Sequence, residues 1–239
     1  VEGWSLAVNA LMMSFFEGTE QIRFDGSLVR PEGAYISGGF KAPGYDPLKR
    51  SLELIEKLLV NRVTIGQEKL TSLDCHDIVC HIVDAVLRGG IRRSALISLF
   101  DKEDDLMMKC KTGDWFYDNP QRGRANNSIK LLKSDLTREE FYSYKESIKQ
   151  FVQPGIVLVD DIDFCTNPCG EIGFIPVNKN TGKSCISFCN LNEINGAYCT
   201  TTARFYEACK NASILGTLQA SYTNMPFLGQ DTKEVIDEE

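Results

Sequence analysis

The spacing of apolar positions changes several times along the chain, and each change marks an element. Between Trp4 and Phe16 they fall at Trp4, Leu6, Ala7, Val8, Ala10, Leu11, Met12, Phe15 and Phe16, dense enough for a mostly buried helix. From Asp25 to Gly44 glycine and proline recur (Gly26, Pro31, Gly33, Gly38, Gly39, Pro43, Gly44), which excludes a helix and predicts a short strand with loops. Asp46-Pro47 opens a helix, and Leu52, Ile55, Leu58 and Leu59 repeat at helical spacing behind it. A second helix starts near Ser72 or Asp74, carries Ile78, Val79, Ile82, Val83, Val86 and Leu87, and stops at Gly89-Gly90. Ala95 to Phe100 and Ser128 to Leu132 read as strands. Thr137-Arg-Glu-Glu140 is a capping box for a helix to about Phe151, Pro154-Gly155 breaks it, and Ile156 to Val159 is a short buried strand. A last helix runs from about Ala203 to Leu215. Strands alternating with helices predict an α/β fold with largely parallel pairing, and no repeat, linker or composition shift divides the chain.

Composition narrows the function. The 239 residues carry a net charge of -7, with 26 Lys and Arg against 33 Asp and Glu, which argues against a basic face coating nucleic acid. No apolar run approaches the roughly 20 residues that a bilayer-spanning helix needs. No leader precedes Val1, so the expectation is a cytoplasmic protein with no membrane partner. Nine cysteines, an odd number, do not read as a secreted disulfide framework.

Five of the nine fall between Cys165 and Cys199. Cys165 and Cys169, like Cys185 and Cys189, are spaced C-x3-C, unlike most zinc ribbons. Cys75, His76, Cys80 and His81 spread around a helix rather than facing one way, so no metal is expected. Cys75, Cys80, Cys110, Cys199 and Cys209 are expected to be small buried hydrophobes. Cys169 differs through its neighbours. Asn167-Pro-Cys-Gly-Glu171 forces a tight non-helical turn and gathers an amide, a thiol and a carboxylate. In an extended chain, positions 167, 169 and 171 point to one side, where one small substrate meets all three. Both histidines lie far away in sequence, so a Cys-His hydrolase is poorly supported, whereas one-electron thiol chemistry needs no histidine.

Asn167-Pro-Cys-Gly-Glu-Ile172 resembles the finger loop of ribonucleotide reductases, most closely the adenosylcobalamin-dependent (class II) enzymes of the monomeric ribonucleoside-triphosphate type. Further stretches resemble the same family in the same order: Glu2-Gly-Trp4, Val29-Arg-Pro-Glu-Gly-Ala34, Gly38-Gly39, Gly89-Gly-Ile-Arg-Arg-Ser-Ala95, Asn126-Asn-Ser128, Cys189-Asn-Leu191, and Thr217-Leu-Gln-Ala-Ser-Tyr-Thr223 with Pro226. The resemblance covers nearly the whole chain. It implies a ten-stranded α/β barrel of two parallel half-barrels, of which residues 1–239 form a partial catalytic domain: most of one half-barrel plus the finger loop, about residues 164–175. It also implies roles. Cys169 would carry the thiyl radical that removes the 3′ hydrogen, Glu171 would act as base on the 3′ hydroxyl, and Asn167 would hydrogen-bond the ribose. Cys189 would be one of two cysteines that supply electrons. Asn126, Asn127, Ser128 and Gly170 would line the substrate site. Turn capping by Asn167, a surface role for Glu171 and strand-edge roles for Asn126 to Ser128 remain open, as do phosphate contact or ion pairing for Arg92 and Arg93.

The resemblance further implies adenosylcobalamin as cofactor, a ribonucleoside di- or triphosphate as substrate, and a thioredoxin-like or dithiol reductant. It places the redox partner of Cys189 upstream of residue 1, and the phosphate loop and second half-barrel beyond residue 239. The chain is therefore expected to be an internal segment, inactive without the remaining segments of the reductase. A class I-type large subunit and a non-catalytic, zinc-binding interaction module are the competing readings.

Overall fold

The computed structural model describes residues 2–19, 22–36, 40–86 and 94–238, and the chain divides into two compact units, Val1–Val159 and Asp160–Glu239. Gly38-Gly39, Leu87, the Gly89-Gly90 stop, Arg92 and Arg93 lie outside the described residues.

The first unit begins with three helices, α1 (Glu2–Phe16), α2 (Asp46–Thr64) and α3 (Ser72–Ala85). Helix α2 buries Leu48, Ser51, Leu52, Ile55 and Leu59, the stripe that its periodicity predicts. These side chains meet Leu11 and Ile78 in one apolar core, with Trp4, Val8, Phe15 and Tyr45 at its margin. Full burial of each such aliphatic side chain contributes about 1.5–3 kcal/mol. The start of α3 is fixed by a capping box. Thr71 Oγ1 accepts from the Asp74 N–H, and the Asp74 carboxylate accepts from the Thr71 N–H. Asp74 also accepts from Arg62 and Gln67. Burial raises its pKa, but those hydrogen bonds outweigh it and the carboxyl ends lower than usual.

The sheet follows. Strands β1 (Leu96–Phe100), β2 (Ala125–Leu132) and β3 (Gly155–Val159) lie in the order β1-β2-β3, all parallel. Two short helices, α4 (Asp105–Met108) and α5 (Trp115–Asp118), and a 3-10 turn (Pro120–Arg124) connect β1 to β2; helix α6 (Arg138–Phe151) connects β2 to β3. The α6 capping box forms as expected, Thr137 with Glu140. Phe100, Met107, Ile129 and Leu131 make a second core. Strand β2 begins three residues earlier than its β-formers suggest. Asn126 and Asn127 are poor strand residues, yet β1 pairs with 125–129 while β3 pairs with 128–132. At the start of β2, ahead of its pairing with β3, the Gln153 side chain accepts from the Asn127 N–H at 3.2 Å.

The second unit carries a two-stranded antiparallel hairpin, β4 (Cys165–Thr166) and β5 (Gly173–Phe174), then helices α7 (Thr202–Ala220) and α8 (Gln230–Glu238). A turn after the hairpin is tied to α8 by Asn178. Its Oδ1 accepts from the Asn180 and Thr181 N–H groups, and its Nδ2 donates to the Asp231 carbonyl and the Glu234 carboxylate. Lys183 and Thr181 add bonds to the Asp231 carboxylate. Helix α7 runs beyond its expected end at Leu215 and buries none of its residues. The overall class is mixed α/β with a parallel sheet.

Candidate active site

The Asn167–Glu171 motif forms the tip of the β4–β5 hairpin. Asn167 N–H donates to the Ile172 carbonyl at 3.1 Å, and Ile172 N–H donates to Asn167 Oδ1 at 3.0 Å. Gly170 N–H donates to the Asn167 carbonyl at 2.9 Å, closing a β-turn with Pro168 at its first central position. Gly170 takes a φ of +86°, a left-handed conformation that glycine adopts without steric cost. At the base, a side chain at Gly173 would run into the Phe164 ring, which packs over the glycine.

The turn corrects the expectation that 167, 169 and 171 share a side. Alternation holds for extended backbone, and here the chain reverses between 167 and 170. Asn167 is 8% exposed with its amide oxygen engaged in the loop, whereas Cys169, Gly170 and Glu171 are exposed. Thr166, just before the turn, is buried, and among the described residues its hydroxyl has no partner. Cys189 is exposed, on the stretch 185–195 that lacks regular structure. All nine cysteines are free thiols. Cys80 and Cys110 are buried as expected, and burial pushes the Cys80 thiol up to about 12. Cys199 and Cys209 are only partly buried and Cys75 is exposed, contrary to expectation; Cys75 lies on the outer side of α3 while His76 and Cys80, one turn apart, face inward.

Asn126, Asn127 and Ser128 lie on the central strand of the first unit. Asn126 is exposed, Ser128 is buried, and Asn127 is 1% exposed on the face that meets α3. There the His76 ring reaches three groups: Ser98 Oγ at 2.8 Å from Nδ1, and Asn127 Nδ2 at 3.4 Å and Cys80 Sγ at 3.5 Å from Nε2. Burial lowers the His76 pKa to about 4; Asp77 opposes this, and Lys111 and Arg122 add to it. Asp77 in turn accepts from Arg122 at 2.7 and 2.8 Å, and Arg122 also donates to the Cys110 carbonyl. This buried polar layer was not legible in the sequence, because Asn127 is 51 residues from His76. Its one local trace is a histidine and a cysteine one helical turn apart on an apolar face. Among the described residues, no three His, Cys, Asp or Glu side chains gather as metal ligands, and no helix is long and apolar enough to cross a membrane.

The chain is 33% identical over 211 residues to an adenosylcobalamin-dependent ribonucleoside-triphosphate reductase of Levilactobacillus brevis, covering 78% of this chain and 26% of that one. It is similar to a quarter of a cobalamin-dependent reductase. Proteins of the same name from Lactobacillus delbrueckii subsp. bulgaricus (32% over 198 residues) and Lacticaseibacillus paracasei (33% over 200 residues) each match 72% of this chain and 25% of their own length. The chain thus spans about a quarter of the reductases it matches. No family model matches it. No solved structure matches it either.

Proposed function

We propose that the chain is the finger-loop segment of an adenosylcobalamin-dependent ribonucleoside-triphosphate reductase, and that residues 1–239 belong to one barrel-shaped catalytic domain. The observation that carries this reading is the hairpin tip, an exposed thiol two residues from an exposed carboxylate, in a chain a third identical to such reductases. The parallel sheet supports the barrel. Parallel sheets are usually covered and continued on both sides, yet among the described residues β1 and β3 have no further partner.

In this reading Cys169, as a thiyl radical, takes the 3′ hydrogen of the ribose and returns it at the end. Glu171 holds the 3′ hydroxyl proton while the 2′ hydroxyl leaves as water. Asn167 contributes its Nδ2 donor, since its oxygen is held by Ile172 N–H. Cys189 and a second cysteine supply two electrons and two protons and become a disulfide, later reduced by a thioredoxin-like or dithiol reductant. Asn126 and Ser128 line the substrate wall, and Asn127 supports it from behind. Adenosylcobalamin, when bound, supplies the first radical. A cofactor of that bulk needs an unobstructed thiol, which fits the tip: Cys169 is exposed, and a side chain at Gly170 would meet nothing within 4 Å.

The test combines the chain with the remaining segments of the Levilactobacillus brevis enzyme, adenosylcobalamin, a ribonucleoside triphosphate and a dithiol. The chain alone is expected to show no turnover, the mixture to form deoxyribonucleotide, and Cys169→Ser to abolish it. Product from the Cys169→Ser mixture at the unmodified rate would overturn the reading. A requirement for a separate radical-generating protein would move it to the class I type.

A further inference from the structure

We propose that His76 is a positioning residue: from α3 its imidazole bridges β1 and β2, fixes the Asn127 amide, and so holds the strand that presents Asn126 and Ser128 on the opposite face. The inference rests on the reading of β2 as substrate wall. Ser98 and Asn127 are register partners on adjacent strands, so one ring ties both strands to the helix at the level of the candidate residues.

The bonding pattern fixes the ring's state. Asn127 Nδ2 has only hydrogens to offer, so the facing Nε2 accepts, and Nδ1 carries the proton that it donates to Ser98 Oγ. Burial keeps this ring neutral at physiological pH, with Lys111 and Arg122 working the same way and Asp77 against. Among the described residues Asn127 Oδ1 is buried with no partner, so the His76 contact sets which way the amide turns. Turned over, the amide would press its oxygen against the Nε2 lone pair. The backbone N–H of Asn127 is separately held by Gln153.

Two near-isosteres separate the arms of the bridge. His76→Gln keeps an acceptor near the Nε2 position, and His76→Asn reaches toward Ser98 but falls short of Asn127. In the 15N-labelled chain, the Asn127 side-chain amide should give two resolved, exchange-protected signals in the wild type and in His76→Gln, and lose that protection in His76→Asn. In the chain completed with the remaining reductase segments, His76→Asn should raise KM for the ribonucleoside triphosphate about tenfold, the size of one hydrogen bond, with a smaller change in kcat, and His76→Gln should restore it. Equal amide protection and equal KM in both variants, whatever their stability, would overturn the proposal. Absence of any triphosphate turnover in the completed wild-type enzyme would instead sink the reductase reading, and the amide signals would still decide the role of His76.

Discussion

Two polar regions of this molecule are built in opposite ways. Between α3 and the sheet, His76, Asp77, Lys111, Arg122 and Asn127 are packed out of water, and nearly every polar atom has a partner. At the hairpin tip, backbone hydrogen bonds hold the loop, while the Cys169 thiol and Glu171 carboxylate stand in solvent. The first region uses its side chains to fix geometry. The second fixes geometry with backbone, one amide and two glycines, and leaves its reactive side chains free. Reactivity and stability should therefore respond to different substitutions.

The largest stability effect is expected for Asp77→Ala, which strands the mostly buried Arg122 guanidinium. A loss of about 3–5 kcal/mol in chemical denaturation is expected, and a loss under about 1 kcal/mol would show that the polar layer is no clamp. Acid gives the next effect. The folded-state pKa of His76 lies near 4 and that of an ordinary histidine near 6.5, so the unfolded chain takes up the proton first. The His76 contribution is fully present above about pH 6.5, falls as the pH drops, and levels off below about 4, a total of about 3 kcal/mol. Subtracting the pH–stability curve of His76→Gln isolates it, and identical curves would refute the assignment. Gly173→Ala comes third. The Phe164 ring must move, and about 1–3 kcal/mol is expected to be lost in thermal melts. The smallest effect belongs to Cys169→Ser, which should change stability by less than about 0.5 kcal/mol while removing turnover in the completed enzyme. A large loss of stability there would erase the contrast between the two regions.

The contrast also explains what could be read from the chain before its structure. Helices α2 and α6 and strands β1 and β3 are announced by local periodicity and capping residues, which act over a few positions. The Pro-Cys-Gly turn is equally local, although the turn itself defeats the alternation that placed Asn167 beside Cys169 and Glu171. Helix α8 was not legible. Only Val235 is buried along it, and Asn178, more than fifty residues earlier, holds it in place. The early start of β2 was hidden for the same reason, since Asn126 and Asn127 become strand through β1 and Gln153 rather than through their own propensity.

Helix α7 carries a consequence of a colloidal kind. From Asn211 to Ala220 it has no charged residue, and Ile214, Leu215 and Leu218 stand about half exposed or more. A surface of that sort is poorly wetted, and salt screens the repulsion that a net charge of -7 sets against its self-association. Light scattering of the isolated chain should therefore show apparent mass rising with concentration, and more steeply as salt is added. Replacing Leu218 by Lys should flatten that rise.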